Sequence, residues 1–312
     1  MKNIDFDQLN QLLASSGFEL KSFEQVQRLW KGYGHIIRVY LKNHSLESAI
    51  LKLIEWPAAT EAELAHRRKV RSYQIEAAWY RHASSLCTQD CRVPQAYAQG
   101  DSCQSQWLLL EDLDRAGYPE RKRRLNSQDI QVVLSWLAHF HARFLDYAAA
   151  ELWPQGSYWY LDTRPDEWTV LPDGLLKQSA QMIDHRLKAC RYQTLLHGDA
   201  KPANFCFGAQ GVAALDFQYV GRGCAMKDIV YFLSACVPES DCFEKIPAYL
   251  DQYFLLFRRA LNDEKRAQII EQEWRMLFPW AWCDWYRFER GWYGGFVSEA
   301  PYSESLLRQI IN

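Results

Sequence analysis

The sequence lacks the marks of several large protein classes. No apolar run approaches the roughly 18 residues that a membrane span needs, so no membrane is expected as a partner. The first residues, MKNIDFDQLN, carry no basic stretch followed by an apolar one, and no signal peptide is expected. Charge in excess is also missing. There are 36 Lys and Arg against 38 Asp and Glu, a net charge of −2, which argues against nucleic acid as a main partner. The nine cysteines are odd in number and scattered. Cys87, Cys91 and Cys103 form the only cluster, and no histidine pair lies near enough to complete a zinc site. Reduced thiols in a cytoplasmic, monomeric protein are the simplest expectation. Internal repeats and low-complexity segments are absent.

What the chain does have is length and aromatic mass. Its 312 residues can form two modest lobes. A hydrophobic share of 48% with 24% charged residues is ordinary for a globular protein. The 13 Trp, 17 Tyr and 15 Phe are not ordinary; they either fill a core or line a pocket for a flat, apolar or cationic ligand.

Periodicity divides the chain near Leu110-Glu111-Asp112-Leu113. Before it, a short helix over 5–17 is followed by strands at Val26–Trp30, His35–Leu41 and Ser48–Ile54, with turns at Lys31–Gly34 and Lys42–Ser45. A charged, Ala-rich helix over 61–84 follows Pro57, and strands at Val93–Ala98 and Gln106–Glu111 complete a small antiparallel lobe. After it, a helix capped by Asn126 or Ser127 runs to about Tyr147. Further helices are expected at 174–190, 226–236, 243–261, 263–277 and 280–292. The expectation is an α+β chain with a β-rich N-terminal lobe over 1–112 and a helical C-terminal lobe over 113–312. The basic run Arg121-Lys122-Arg123-Arg124 reads as a solvated loop.

Residues 196–218, LHGDAKPANFCFGAQGVAALDFQ, carry the chemistry. Phe205–Phe207 and Val212–Leu215 flank Gly208-Ala209-Gln210-Gly211, a pattern that predicts a β-hairpin. Folding about that turn sets residue 204 opposite 215 or 216, so Asn204 and Asp216 meet at the open end. An amide oxygen beside a carboxylate is hard-oxygen ligation, suited to Mg²⁺. Asp199 precedes Asn204 on a loop whose Pro202 blocks regular helix. A base, a lysine (Lys201) and two metal ligands in this spacing suit phosphoryl transfer, which asks for positioning, Mg²⁺ and a proton acceptor.

His197-Gly198-Asp199-x4-Asn204 followed by Leu215-Asp216-Phe217 resembles the signature of the aminoglycoside phosphotransferase and choline kinase superfamily, small-molecule kinases with a protein-kinase-like fold. Leu109–Leu113, Asp216-Phe217-Gln218 and the aromatic tail are most similar to its ecdysteroid-kinase-like branch. The resemblance covers essentially the whole chain, most weakly 1–20 and 238–312. It implies a bilobal fold, ATP and Mg²⁺ as cofactors and a small-molecule hydroxyl as acceptor. It makes Asp199 the base, Asn204 and Asp216 the Mg²⁺ ligands, and Lys201 a contact to the γ-phosphate, with His197 bracing the loop. Lys52, in the apolar strand Ala49–Ile54, would contact the α- and β-phosphates, with Glu76 as its partner; the rival reading makes both solvated charges. Gly32-Tyr33-Gly34 stands where a kinase covers phosphates, but Ile37 replaces the third glycine of G-x-G-x-x-G, and a plain hairpin turn accounts for it equally well. Glu111 to Leu113 would form the hinge against adenine. Asp228 matches a family aspartate that opens a helix and holds the catalytic loop.

The acceptor is left open. Phe278, Trp282, Trp285 and Trp292 recur near helical spacing, and Gly156–Leu161 with Thr163-Arg164-Pro165 form a second aromatic region. Both suit a steroid-like, choline-like or aminoglycoside-like alcohol, or are simply core. A protein kinase is the catalytic alternative, disfavoured because no activation segment ending in Ala-Pro-Glu is present. A pseudokinase binding module is the other, disfavoured by the intact Asp199, Asn204 and Asp216.

Overall fold

The computed structural model describes residues 4–29, 32–42, 45–56, 64–102, 105–294 and 299–311. Trp30, Lys31, Asn43, His44, Pro57, positions 61–63 and Cys103, all used in the sequence reading, lie outside the described residues.

Helix α1 (Phe6–Ala14) lays Leu9 and Leu13 on the first sheet. That sheet has five antiparallel strands: β1 (Glu19–Arg28), β2 (Gly34–Lys42), β3 (Ser48–Glu55), β4 (Ala96–Asp101) and β5 (Ser105–Glu111), in the order β1-β2-β3-β5-β4. Helix α2 (Leu64–His82) enters between β3 and β4, as expected. One face of the sheet packs Ile37, Val39, Leu51 and Leu109 under α1. The other looks toward α2, whose Ile75, Ala78 and Trp79 join the core of the helical half. Helix α2 is therefore shared between the two halves, and this fixes the residues it carries relative to both.

The strand expected at Val26–Trp30 begins earlier, at Glu19. Leu20 is its only buried residue, so this edge strand shows none of the apolar alternation that marks a strand in sequence. The strand expected at Val93–Ala98 is shifted to Ala96–Asp101.

The second half begins with β6 (Glu120–Arg121) and α3 (Ser127–Arg143). A reciprocal cap starts α3: Asp129 N–H donates to Asn126 Oδ1 at 2.9 Å, and Asn126 N–H donates to Asp129 Oδ2 at 3.2 Å. Then come α4 (Pro165–Thr169), α5 (Leu175–Gln178), α6 (Ala180–Lys188), β7 (Thr194–Leu196), β8 (Phe205–Gly208), β9 (Gly211–Ala214), β10 (Gly221–Gly223), α7 (Met226–Cys236), α8 (Cys242–Leu261), α9 (Glu264–Trp292) and α10 (Pro301–Ile311). The helix expected over 174–190 is divided into α5 and α6 at Ser179. The two helices expected over 263–277 and 280–292 are one. Pro279 lies inside α9, where Leu277, Phe278, Ala281 and Trp282 are buried on both sides of it. Continuous packing there outweighs the roughly 3 kcal/mol that a mid-helix proline costs. Helices α4 and α10 are additional to the sequence reading.

The eight described cysteines are free thiols. No helix among the described residues is long and apolar enough to cross a membrane. In the basic run, Arg121 pairs with Asp114, and Lys122 pairs with Asp129 at 2.7 Å, which keeps it a local surface feature.

Candidate active site

The loop from His197 to Asn204 is held by buried polar groups on every side. Asp228, in the first turn of α7, accepts from the backbone N–H of His197 at 2.6 Å and of Gly198 at 3.0 Å. It also lies 3.2 Å from His141 Nε2. This is the loop-holding role that the resemblance implied. Gly198 has φ +79°, and a Cβ there would stand 2.0 Å from the carbonyl oxygen of Tyr219, so only glycine fits. His197 is fully buried. Its Nδ1 accepts from the Asp199 N–H at 3.2 Å, which leaves Nε2 to donate to the Leu215 carbonyl at 3.0 Å. Burial pushes its pKa down, so the ring is a neutral brace.

Asp199 has two unlike oxygens. Oδ2 accepts from Lys201 Nζ at 2.8 Å and from Asn204 Nδ2 at 3.0 Å. Oδ1 is buried without a hydrogen-bond partner. Burial raises the carboxyl pKa, partly offset by the ammonium of Lys201. The Tyr231 hydroxyl, which accepts from Tyr158 at 3.2 Å, feels the same carboxylate: burial first, then the charge of Asp199, raises its pKa.

The hairpin forms as its turn signal required. Strands β8 and β9 pair Phe205 with Ala214, and Leu215 N–H donates to the Asn204 carbonyl at 3.0 Å. Asn204 thus stands beside Asp216 across the hairpin's open end. Asp216 takes a left-handed backbone, φ +69°, which is uncommon for a residue other than glycine. Its Oδ1 receives Gln218 Nε2 at 2.5 Å and Lys52 Nζ at 3.2 Å. Burial would raise its pKa, but Lys52, Lys69 and Lys201 together bring it down to about 2.

Asp216 Oδ2 and Asn204 Oδ1 accept no hydrogen bond among the described residues. Two free oxygens of this kind fit a hard divalent cation. No group of three or more His, Cys, Asp or Glu that could hold a metal exists among the described residues. A pair of oxygen ligands without a full protein cage matches the way Mg²⁺ is bound together with phosphate oxygens and water.

Lys52 is buried and bonds Glu76 at 2.7 and 3.0 Å, so the solvated alternative for both residues is excluded. Burial opposes charge on Lys52, but Asp216 and Glu76 outweigh it and hold the ammonium charged. Gly32-Tyr33-Gly34 joins β1 to β2. A Cβ at Gly34 would lie 2.0 Å from the Leu53 carbonyl oxygen, and Tyr33 is buried with its hydroxyl 2.6 Å from His66 Nδ1 of α2. Packing against β3 is enough to require that glycine. At the end of β5, Glu111 N–H donates to the Gln95 carbonyl at 2.8 Å, and its carboxylate takes Arg92 Nη2 at 2.6 Å. The Leu113 carbonyl accepts from Tyr118 N–H at 2.8 Å.

Two further residues join the site. Gln218 and Lys69 connect α2 to Asp216. Asp112, only 3% exposed, takes Arg38 Nε at 2.7 Å and Ser48 Oγ at 2.8 Å at the junction of the two halves. Lys69 had one signal in the sequence: it precedes Glu76 by two helical turns and shares its face. The aromatic residues divide. Phe278 and Trp282 are core, Trp292 is exposed, and Trp285 meets Tyr231 with ring centroids 4.6 Å apart.

The model of the phosphotransferase enzyme family matches residues 26–277. Among solved structures, an amicoumacin kinase in complex with AMP-PNP, Ca²⁺ and Ami is similar at 15% identity and TM-score 0.57, covering 98% of this chain and 92% of that one. A choline kinase from Cryptosporidium parvum is similar at 9% identity and TM-score 0.54, covering 98% and 94%. An aminoglycoside phosphotransferase from Streptomyces rimosus in complex with ADP and streptomycin is similar at 13% identity and TM-score 0.50, covering 88% and 99%. At these identities the likeness is one of fold. No curated protein matches the chain. With a family match over most of its length and a kinase-like α+β fold, the chain belongs to the phosphotransferase enzyme family.

Proposed function

We propose that the chain is an ATP- and Mg²⁺-dependent kinase that transfers the γ-phosphate to a hydroxyl of a small organic molecule. The observation that carries this reading is the Asp199 carboxylate: one oxygen is pinned by Lys201 and Asn204, and the other is buried without a well-formed hydrogen bond, with the Tyr231 hydroxyl as its neighbour. A buried lone pair without a donor is costly unless a ligand hydroxyl supplies one. In this reading Oδ1 orients that hydroxyl and receives its proton, and the raised pKa brings the carboxylate closer to a useful base. Asn204 and Asp216 hold the metal, which when bound neutralises charge on the phosphate oxygens. Lys52, locked to Glu76, contacts the α- and β-phosphates, and Lys201 steadies the γ-phosphate. Gly32 and Gly34 cover the nucleotide, Glu111 to Leu113 form its hinge, and the lobes divide between 112 and 113.

One observation bears on the acceptor. The Arg164 guanidinium stands 5.3 Å from the Tyr158 ring, 5.4 Å from Phe288 and 5.6 Å from Trp292. The chain's own cation fills this aromatic cage, so a choline-like ammonium would have to displace it. That favours a neutral alcohol, such as a steroid-like one in keeping with the ecdysteroid-kinase-like motifs, over a quaternary amine.

The test is acceptor-dependent ADP release over a panel of sterols, sugars, aminoglycosides and amino alcohols, with Asp199→Asn as control. The variant is expected to lose on the order of 10²–10⁴ in turnover while binding Mg-ADP as the wild type does. Equal turnover removes Asp199 from the mechanism. Mg-nucleotide binding with no acceptor-dependent release across the panel supports the pseudokinase alternative instead.

A further inference from the structure

Gln218 is 5% exposed, and both ends of its side-chain amide and its backbone carbonyl are held. Its amide oxygen accepts Lys69 Nζ at 2.7 Å and lies 3.2 Å from Ser72 Oγ. Its amide nitrogen donates to Asp216 Oδ1 at 2.5 Å, and its backbone carbonyl accepts from Trp153 Nε1 at 2.8 Å. An amide can rotate by half a turn and exchange its oxygen and nitrogen at almost no steric cost. Lys69 forbids that rotation here. An ammonium has only donors, so it must face the amide oxygen, and the nitrogen must then face Asp216. The lysine forms no direct ion pair among the described residues: its ammonium rests 4.5 Å from the Tyr73 ring and acts on the Asp216 charge through space and through this amide. The same ammonium polarises the amide and strengthens its N–H as a donor.

The result is a division of labour on Asp216. Oδ1 carries both Gln218 and Lys52, and Oδ2 is left without a protein donor. We propose that Lys69 and Gln218 are a positioning pair for the metal-binding carboxylate: the ammonium sets the amide, the amide sets Oδ1, and Oδ2 is thereby presented to the divalent cation. This rests on the kinase reading above and adds to it a link from α2, which also carries Glu76, to the metal site. One helix would then set both the phosphate-contacting lysine and the metal-binding aspartate.

The experiment is Mn²⁺ binding in the presence of ADP, followed by the electron paramagnetic resonance of free Mn²⁺, with thermal unfolding measured alongside. Lys69→Met and Gln218→Leu are each expected to weaken Mn²⁺ by about 10-fold, the usual effect of removing a group that orients a metal ligand. Lys69→Arg, which keeps a donor-only cation, should restore most of it. Because the two act in series, the double variant should be no weaker than Gln218→Leu alone. Multiplied losses would mean that Lys69 contacts the nucleotide independently, and would overturn the pair. So would wild-type Mn²⁺ affinity in Lys69→Met, or variants that lose only thermal stability. A wild-type protein that binds no Mn²⁺-ADP at all would instead sink the kinase reading itself.

Discussion

Two buried lysines anchor ionic clusters in this protein, and the clusters are inverse in composition. In the cleft, one cation meets two carboxylates: Lys52 lies 2.7 Å from Glu76 and 3.2 Å from Asp216. Among the C-terminal helices, one carboxylate meets two cations: Asp284 lies 2.8 Å from Lys227 and 2.7 Å from Arg287. Counted by its direct ion pairs, the first cluster has a surplus negative charge, offset only from a distance by Lys69 and Lys201, and the Asp216 side chain that carries it is 30% exposed with one oxygen free. The second has a surplus positive charge sealed at 0–1% exposure. That surplus is spread over the Trp159 carbonyl, 3.0 Å from Arg287, and the Trp159 ring, 5.4 Å from Lys227. Residue types and distances are nearly the same. The difference lies in which sign is left over and whether it faces space. An open surplus of negative charge is suited to a cation and, in the proposed function, to chemistry; a closed surplus of positive charge ties a loop to α7 and α9 and belongs to the fold.

The comparison breaks most visibly at Asp284. Asp284→Leu would leave Lys227 and Arg287 buried without an anion, which should cost about 3–5 kcal/mol of stability in urea unfolding. A loss under about 1 kcal/mol would show that the sealed cluster is dispensable. Glu76→Gln should behave differently although Glu76 is equally buried. Asp216 remains beside Lys52 and its side chain is 30% exposed, so the variant should fold. It should lose about 10-fold in Mg-ADP affinity by calorimetry, the scale of one charge-assisted hydrogen bond. If Glu76→Gln unfolds the protein as Asp284→Leu does, openness is not what separates the two clusters.

How much of this was legible in sequence follows the same division. The hairpin could be counted out because a turn fixes register, and Asn204 and Asp216 met where the count put them. Lys52 announced itself as a charge in an apolar strand. Edge strand β1 announced only its end, from Val26, because only Leu20 of its ten residues is buried and its polar first half has no period to read. Pro279 misled because its local cost is visible in sequence and the packing that offsets it is not. Gln218 was visible only as part of a motif. Its contact with Lys69 spans 149 positions and depends on how α2 docks, which no local pattern encodes. The Lys227–Asp284–Arg287 cluster was equally silent, since a lysine and an aspartate in two amphipathic helices look like surface charges until both helices are placed.

Asp112 sharpens the comparison from between its extremes. Its carboxylate is as buried as the sealed cluster, but its partner Arg38 is 19% exposed and shared with Glu24 at 2.9 Å and Asp114 at 2.5 Å. Burial would raise the Asp112 pKa; hydrogen bonds from Arg38 and Ser48 outweigh it, and the value is lowered. A carboxylate depressed in the folded state contributes stability that is present above its unfolded pKa, near 3.9, and is lost as pH falls through the folded value. Asp112→Asn should therefore flatten the acid side of the stability curve below about pH 4 and leave its shape above pH 5 unchanged. At neutral pH the loss should be only about 1 kcal/mol, because Glu24 and Asp114 still neutralise Arg38. Urea unfolding at several pH values reads both quantities. An unchanged acid slope in Asp112→Asn would mean that Arg38 draws its stabilisation from the exposed carboxylates, and that burial of the anion alone does not place a cluster on the structural side of the division.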